Sequence, residues 1–140
     1  MGQNLFVSAD TRKGTTEAKF TAIRKNNIKT IVNMTMKCTD EDLKNLNGID
    51  YIELRINDSF KEVPEKTETL LNSWVDILQE RRRSHGVLIH CYGGENRSCL
   101  LAGMLMIRDG LSGSEVVSRI LQERPTALYN TAFRRFLNEQ

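Results

Sequence analysis

The residues best suited to chemistry lie in one short segment, His90-Cys91-Tyr92-Gly93-Gly94-Glu95-Asn96-Arg97-Ser98. A cysteine followed after five residues by an arginine is weak evidence alone, because short spacings of this kind also arise by chance. The context is more informative, since the segment follows a short apolar run over residues 86–90 and precedes an apolar helical pattern. Ligands of open α/β folds bind beyond the carboxyl ends of the strands, which is where this segment would lie.

Such a loop can bind a phosphate dianion and activate a thiol. Adjacent glycines let the backbone curl at a helix N-terminus, where inward N–H groups and the helix dipole create positive potential. This potential also stabilises a thiolate, which makes Cys91 a candidate nucleophile. Arg97 can direct two N–H donors at two phosphate oxygens, and Ser98 can donate a hydrogen bond to the sulfur. The predicted phosphate-binding residues are Tyr92, Gly93, Gly94, Glu95, Asn96 and Arg97.

Cleavage of a phosphate ester also needs an acid that protonates the leaving oxygen. Asp58 is the best candidate, because it follows an alternating apolar run over residues 50–56 and should lie at the same sheet edge as Cys91. Glu62 is the alternative acid. In the predicted reaction Cys91 attacks phosphorus while Asp58 protonates the leaving group, and water then hydrolyses the phosphocysteine. No metal or other cofactor is expected, since Arg97 and the backbone N–H groups supply the positive charge.

Three residues of the segment also have structural interpretations. Without any catalytic role, Cys91 would be a buried cysteine at the end of a strand. Arg97 would then be an arginine that caps a helix. His90 can tune the thiolate through backbone hydrogen bonds, or it can be a core histidine whose hydrogen bonds are satisfied. We expect His90 to support the site rather than to transfer protons directly.

The surrounding pattern predicts strands that alternate with helices. Strands are expected at residues 4–8, 30–34, 50–56 and 86–90, and helices at about 16–26, after Pro64, around Leu100, after Ser112 and around Phe133. This order predicts an α/β fold in which helices flank a central, mainly parallel sheet of about four to five strands. The cysteine loop, defined as residues 91–97, would connect the last strand to a helix.

Composition limits the remaining possibilities. At 140 residues, without repeats or linkers, the chain is expected to form a single domain over residues 1–140. A net charge of +2 and the lack of a long apolar run predict neither a nucleic-acid partner nor a membrane partner. An odd set of 3 cysteines without an apolar leader indicates free thiols in a reducing compartment, the cytoplasm or the nucleus.

His90, Cys91, Arg97 and Ser98 together resemble the H-C-x5-R-S/T signature of the dual-specificity branch of the protein tyrosine phosphatase superfamily. Further matches over most of the chain are the first strand Leu5-Phe6-Val7-Ser8, the strand end Ile31-Val32-Asn33-Met34, Asp58 at the position of the general acid, and Asn130 and Phe133 at the start of the last helix. The resemblance implies a catalytic domain with a phosphatase-type loop, which hydrolyses phosphotyrosine and also phosphoserine or phosphothreonine. Its partners are then phosphorylated proteins.

Two departures from the family pattern, at Asn96 and Glu95, leave the substrate open. Asn96 stands where many dual-specificity enzymes carry serine, and asparagine there also occurs in related RNA 5′-triphosphatases, which typically lack a general acid. Glu95 should disfavour phosphoinositides unless its side chain points outward. A phosphate-binding module without catalysis is a third alternative.

Cys38 and Cys99 are expected to be inert packing residues, although relatives sometimes protect an oxidised nucleophile by a disulfide to a nearby thiol.

Overall fold

The computed structural model describes residues 1–58 and 61–140 of the chain. Within these ranges four parallel strands form a sheet in the order β1-β4-β2-β3, which confirms the predicted α/β fold. The strands are β1 (Leu5–Ser8), β2 (Ile28–Asn33), β3 (Asp50–Glu53) and β4 (Gly86–His90). The helices are α1 (Thr16–Lys25), α2 (Glu41–Lys44), α3 (Glu65–Arg82), α4 (Arg97–Arg108), α5 (Gly113–Glu123) and α6 (Thr131–Asn138), with a 3₁₀ turn at Thr11–Lys13. None of the helices in the described ranges is long and apolar enough to cross a membrane.

The parallel register brings the carboxyl ends of all four strands to one edge of the sheet. Ser8 of β1 and Asn33 of β2 both pair with His90, on opposite sides of β4. Asn33 also pairs with Glu53 of β3. The segments that leave the sheet after these residues therefore start side by side, as sites at the carboxyl edge of parallel sheets require.

The two faces of the sheet are covered unequally. Val32 and Ile89 face the larger core, to which α3, α4, α5 and α6 contribute buried side chains. Ile31 and Leu88, one residue away in each strand, face a smaller cluster that includes Ile23 of α1. This alternation is the period of two expected of strands with both faces covered. The helix that follows the cysteine loop therefore packs on the larger core.

β3 ends earlier than the sequence pattern predicts. Ile52, Leu54 and Ile56 are all buried, as expected from the alternation over residues 50–56. Pairing nevertheless ends at Glu53, because β2 also ends there and the Leu54 N–H makes the last bond, to the Asn33 carbonyl at 2.8 Å. The buried alternation therefore continues through an extended segment that leads the chain to Asp58.

Candidate active site

The cysteine loop connects β4 to α4, where the sequence placed it. Cys91 directly follows β4 and Arg97 is the first residue of α4. Cys91 is 2% exposed and Ser98 is fully buried, with the Ser98 Oγ 3.2 Å from the Cys91 Sγ. Because a thiolate can only accept hydrogen bonds, the hydroxyl is the donor when Cys91 is ionised. The predicted contact between Ser98 and the sulfur is therefore present.

Hydrogen bonds from other segments of the chain to its carbonyl groups fix the position of the cysteine loop. The carbonyls of Tyr92, Gly94 and Glu95 all accept hydrogen bonds from other parts of the chain. The respective donors are Asp10 N at 3.0 Å, Arg124 Nη1 at 3.2 Å and Leu128 N at 2.8 Å. The backbone N–H groups of residues 92–97, in contrast, donate to no acceptor in the described part of the protein. These N–H groups, at the N-terminus of α4, can therefore bind an anion.

Gly94 is the glycine that this loop geometry requires. Its φ of +68° lies in the left-handed region, and a Cβ there would come within 2.7 Å of the Ser8 carbonyl carbon and 2.8 Å of the Ala9 nitrogen. Gly93 meets only side-chain atoms of Glu95, at 3.8 Å. Of the two predicted glycines, only Gly94 is thus required for both its backbone angle and its close approach to another segment.

Arg97 connects the cysteine loop to the ends of two other segments. Its Nη1 donates to the Met34 carbonyl at 3.2 Å and to the Ile56 carbonyl at 3.3 Å. Its buried Nε has no hydrogen-bond partner among the residues that the structure describes. The guanidinium is therefore fixed in position while further N–H donors remain for the oxygens of an anion.

Asp58 lies in the same pocket as Cys91, and two asparagines hold its carboxylate. Its Oδ1 accepts from Asn130 Nδ2 at 2.7 Å, and its Oδ2 accepts from Asn96 Nδ2 at 2.9 Å. Asn96 Oδ1 in turn accepts from Asn130 N at 3.0 Å, and both asparagines are at most 3% exposed. The sequence indicated Asn130 only as a family match at the start of α6, and it did not indicate these contacts.

The pocket is small, with a volume of about 110 Å³. Its lining residues are Asp58, Cys91, Tyr92, Gly93, Glu95, Asn96, Arg97 and Tyr129. Pockets for drug-sized ligands run from about 300 to 1,000 Å³, so this one suits a single phosphate group better than a large ligand. Tyr129 was not predicted as a site residue, whereas Glu62, the alternative acid, is exposed and does not line the pocket.

The side chains of Tyr92 and Glu95 lie at the rim. Tyr92 is 58% exposed, and Lys13 Nζ lies 4.7 Å from the centroid of its ring in a cation–π contact. The Glu95 carboxylate accepts a hydrogen bond from Thr126 Oγ1 at 3.1 Å, which holds it toward the connection between α5 and α6. Both residues can therefore reach the phosphate only through their backbone N–H groups or along the rim.

His90 is buried without hydrogen bonds to its ring. It is 2% exposed, and neither ring nitrogen has a hydrogen-bond partner in residues 1–58 and 61–140. Burial lowers the pKa of His90 to about 4, although Asp10 and Asp40 act in the opposite direction. A neutral ring at pH 7 agrees with a supporting role, which the His90 carbonyl also serves by accepting from Met34 N at 2.8 Å.

The other two cysteines differ in exposure. Cys99 is fully buried in α4, and burial raises the pKa of its thiol to about 12. Its Sγ contacts the Gly94 carbonyl at 3.6 Å. Cys38 is partly exposed, and all three cysteines are free thiols. An inert packing role describes Cys99 well and Cys38 only in part.

Comparisons with known proteins show the family to which the chain belongs. The family model for the dual specificity phosphatase catalytic domain matches residues 13–140. Dual specificity protein phosphatase 1 from Arabidopsis thaliana is 31% identical over 83 residues, which are 55% of this chain and 42% of that protein. The chain thus matches less than half the length of this curated relative.

Solved structures with the same fold come from distant organisms. Human DUSP28 superposes with a TM-score of 0.69 at 18% identity, over 99% of this chain and 93% of that one. TpbA of P. aeruginosa gives a TM-score of 0.73 at 20% identity, over 99% of this chain and 86% of that one. At these identities the likeness concerns the fold.

Proposed function

Since the chain belongs to the dual specificity phosphatase catalytic domain family, we propose that it hydrolyses phosphotyrosine, and also phosphoserine and phosphothreonine, in protein substrates. The observation that carries the proposal is the pocket in which Cys91, Arg97 and Asp58 meet. A nucleophile, an anion-binding group and an acid are the three parts that metal-independent cleavage of a phosphate monoester needs.

In the first step the Cys91 thiolate attacks phosphorus and forms a P–S bond. The P–O bond to the substrate breaks, and the leaving oxygen takes a proton from Asp58. Arg97 and the N–H groups of the cysteine loop stabilise the negative charge on the transferred phosphoryl oxygens. The contacts of Arg97 with Met34 and Ile56 favour this role, because they orient the guanidinium before substrate binds.

In the second step water attacks the phosphocysteine. The ionised Asp58 accepts a proton from the water, the P–S bond breaks, and inorganic phosphate leaves. The Ser98 hydroxyl, 3.2 Å from the sulfur, can donate a hydrogen bond to the departing thiolate and so make it a better leaving group. This step returns Cys91 and Asp58 to their initial states.

RNA 5′-triphosphates are the second candidate substrate, and Asn96 is the observation that favours them. The position of Asp58 favours phosphate monoesters instead, because the carboxyl group lines the pocket and both its oxygens are held there. An acid in that place assists the alkoxide or phenoxide leaving group of a monoester more than the 5′-diphosphate end of an RNA, which leaves readily without protonation when its γ-phosphoryl group is transferred.

The deciding experiment compares three substrate classes: a small aryl phosphate, matched phosphotyrosyl, phosphoseryl and phosphothreonyl peptides, and RNA with a 5′-triphosphate. We expect Cys91→Ser to lose roughly 10⁴-fold or more in turnover, since the nucleophile is removed. Asp58→Ala should lose about 10²- to 10³-fold on phosphoseryl peptides and less on the aryl phosphate, whose leaving group is better. Asp76→Ala, at an exposed aspartate on α3, is the matched control.

Each alternative has its own result. Unchanged turnover in Cys91→Ser would contradict the phosphocysteine mechanism. Strong activity on RNA that is indifferent to Asp58→Ala would favour the triphosphatase. A wild type that binds phosphopeptides without turnover would favour a phosphate-binding module.

A further inference from the structure

A second and larger cavity, with a volume of about 340 Å³, opens beside the catalytic pocket. We call it the flanking groove; its lining includes Met36, Arg55, Ile56, Asn57, Lys66 and Leu70. It lies between the extended segment after β3, the segment after β2 and the start of α3. None of its residues belongs to the cysteine loop.

The flanking groove and the catalytic pocket share a wall. Asn57 lines the groove, and the next residue, Asp58, lines the catalytic pocket. Consecutive Cα atoms are about 3.8 Å apart, so one stretch of backbone separates the two cavities. Arg97 also joins them, because its Nη1 donates to the carbonyl of Ile56, which lines the groove. A polypeptide with its phosphate on Arg97 therefore passes within reach of the groove if it leaves the pocket on this side.

The groove is apolar with a positive rim. Met36 and Leu70 are 43% and 40% exposed, and large apolar side chains with this much exposure often mark binding surfaces when they cluster. Lys66 is exposed and makes no ion pair or hydrogen bond within the described ranges. The Arg55 guanidinium donates a hydrogen bond to the Thr35 carbonyl and forms an ion pair with Glu53. None of the residues that line the groove in the described chain is acidic, so its charge complements an acidic ligand.

We propose that the flanking groove binds the substrate segment next to the phosphorylated residue, with a large apolar side chain against Met36 and Leu70 and an acidic side chain near Lys66. This inference rests on the proposed function and adds a sequence preference to it. In an extended peptide, side chains two positions apart point to the same side and lie about 7 Å apart. An apolar residue within three positions of the phosphoresidue can therefore enter the groove while the phosphate is bound.

The test measures kcat/KM on phosphotyrosyl peptides with a glycine and serine background. A single leucine is moved through the three positions on either side of the phosphotyrosine. We expect leucine at one of these positions to raise kcat/KM about tenfold, through partial burial of its side chain. A glutamate beside that leucine should add a factor of about three over lysine, as is usual for an exposed ion pair.

Variants locate the preference. Leu70→Ser and Met36→Ser should abolish the leucine preference, and Lys66→Glu should reverse the glutamate preference. Ile77→Ser is the matched control for Leu70, because Ile77 is 42% exposed on the same helix and lies outside the groove. Arg119→Glu, at an exposed position of α5, is the control for Lys66. Turnover of a small aryl phosphate, which does not reach the groove, should stay the same in all of them.

Two results would overturn the inference while leaving the proposed function intact. The wild type could hydrolyse the aryl phosphate and treat all peptides alike, or the leucine preference could persist in both serine variants. If no substrate were turned over, the proposed function would fail. Binding of the same peptides to Cys91→Ser, measured by fluorescence anisotropy, would then still decide whether a flanking preference depends on Leu70.

Discussion

Cys91 and Asp58 line the same pocket, but different kinds of structure hold them there. Cys91 continues β4 and precedes α4, and the loop around it is tied to its surroundings through backbone carbonyls. Asp58 lies beyond the last paired residue of its segment, and side-chain amides of Asn96 and Asn130 hold its carboxylate. We call these the nucleophile side and the acid side of the pocket.

Because the two sides are held by different kinds of structure, substitutions on them should have different effects. Regular elements fix the nucleophile side, so a change there should alter stability or phosphate binding together with catalysis. The acid side depends on two amides, so one substitution can shift Asp58 without disturbing the sheet. Substitutions on the two sides should therefore have distinguishable effects on stability and on leaving-group dependence.

Apart from Cys91 and Asp58 themselves, the largest effect is expected at Arg97, which joins the two sides through the Met34 and Ile56 carbonyls. Lysine keeps the charge but loses the planar array of donors, so Arg97→Lys should lower kcat/KM about 10²- to 10³-fold on every substrate. Steady-state kinetics on aryl phosphate and phosphopeptides measures this. Arg119→Lys, at an exposed helix position, should leave kcat/KM unchanged. If Arg97→Lys lowered kcat/KM only on substrates with poor leaving groups, Arg97 would contribute to catalysis through the acid side alone.

A pH-dependent loss of stability is the next largest effect, and it belongs to the nucleophile side. The pKa of His90 is about 4 in the folded protein against 6.5 ordinarily, so the unfolded state binds more protons between these values. Stability contributed by the neutral ring is therefore lost as pH falls from 6.5 toward 4, by roughly 3 kcal/mol in total. Urea unfolding over this range should show the slope, and His90→Gln should flatten it.

His85 provides the matched comparison for His90. Burial also lowers the pKa of His85, but its ring forms a hydrogen bond with Thr30 Oγ1 at 3.0 Å. His85 is also less buried than His90. His85→Gln should therefore remove only a small part of the slope. Equal effects of the two substitutions would contradict the special burial of His90.

Gly94→Ala tests the backbone of the nucleophile side. The combination of φ +68° and backbone atoms of Ser8 within 2.8 Å should make alanine unfavourable by about 2 kcal/mol in unfolding free energy. Gly110→Ala is the control, since its φ is +107° but nothing lies within 4 Å of an added Cβ. It should lose only about 1 kcal/mol, for the backbone angle alone. Equal losses in urea unfolding would show that the contact with β1 does not matter.

The same two sides explain what the sequence could and could not predict. The nucleophile side is contiguous in the chain, so Cys91, Arg97 and Ser98 could be assigned from one segment between a strand and a helix. Asp58 followed from the rule that parallel strands end at a common edge. The end of β3 was misplaced because the burial of Leu54 and Ile56 continues after strand pairing has stopped.

Contacts between distant segments left no local pattern. Asn130 is 72 residues from Asp58, and Arg124 is 30 residues from the Gly94 carbonyl that it contacts. α2 has only four residues, too few to show a helical period. The burial of the His90 ring, whose nitrogens have no hydrogen-bond partner among the described residues, also has no local pattern in the sequence.

The smallest expected effect is at Asn96, and it tests the acid side alone. Asn96→Ser removes the amide that donates to Asp58 Oδ2 and also the oxygen that accepts from Asn130 N, so of these hydrogen bonds Asp58 keeps only the one from Asn130 Nδ2 to Oδ1. We therefore expect kcat on phosphoseryl peptides to fall about tenfold and kcat on an aryl phosphate to change little, since only the poorer leaving group needs a well-placed acid. Asn72→Ser, at an exposed position of α3, is the matched control.

A double-mutant cycle separates this positioning role from damage to the cysteine loop. If Asn96 acts through Asp58, Asn96→Ser should have no further effect on kcat in the Asp58→Ala background. A tenfold loss that persists in that background, or an equal loss on both substrates, would mean that Asn96 acts through the loop backbone. The acid side would then not be separable from the nucleophile side, and the contrast between them would apply to their structure but not to their chemistry.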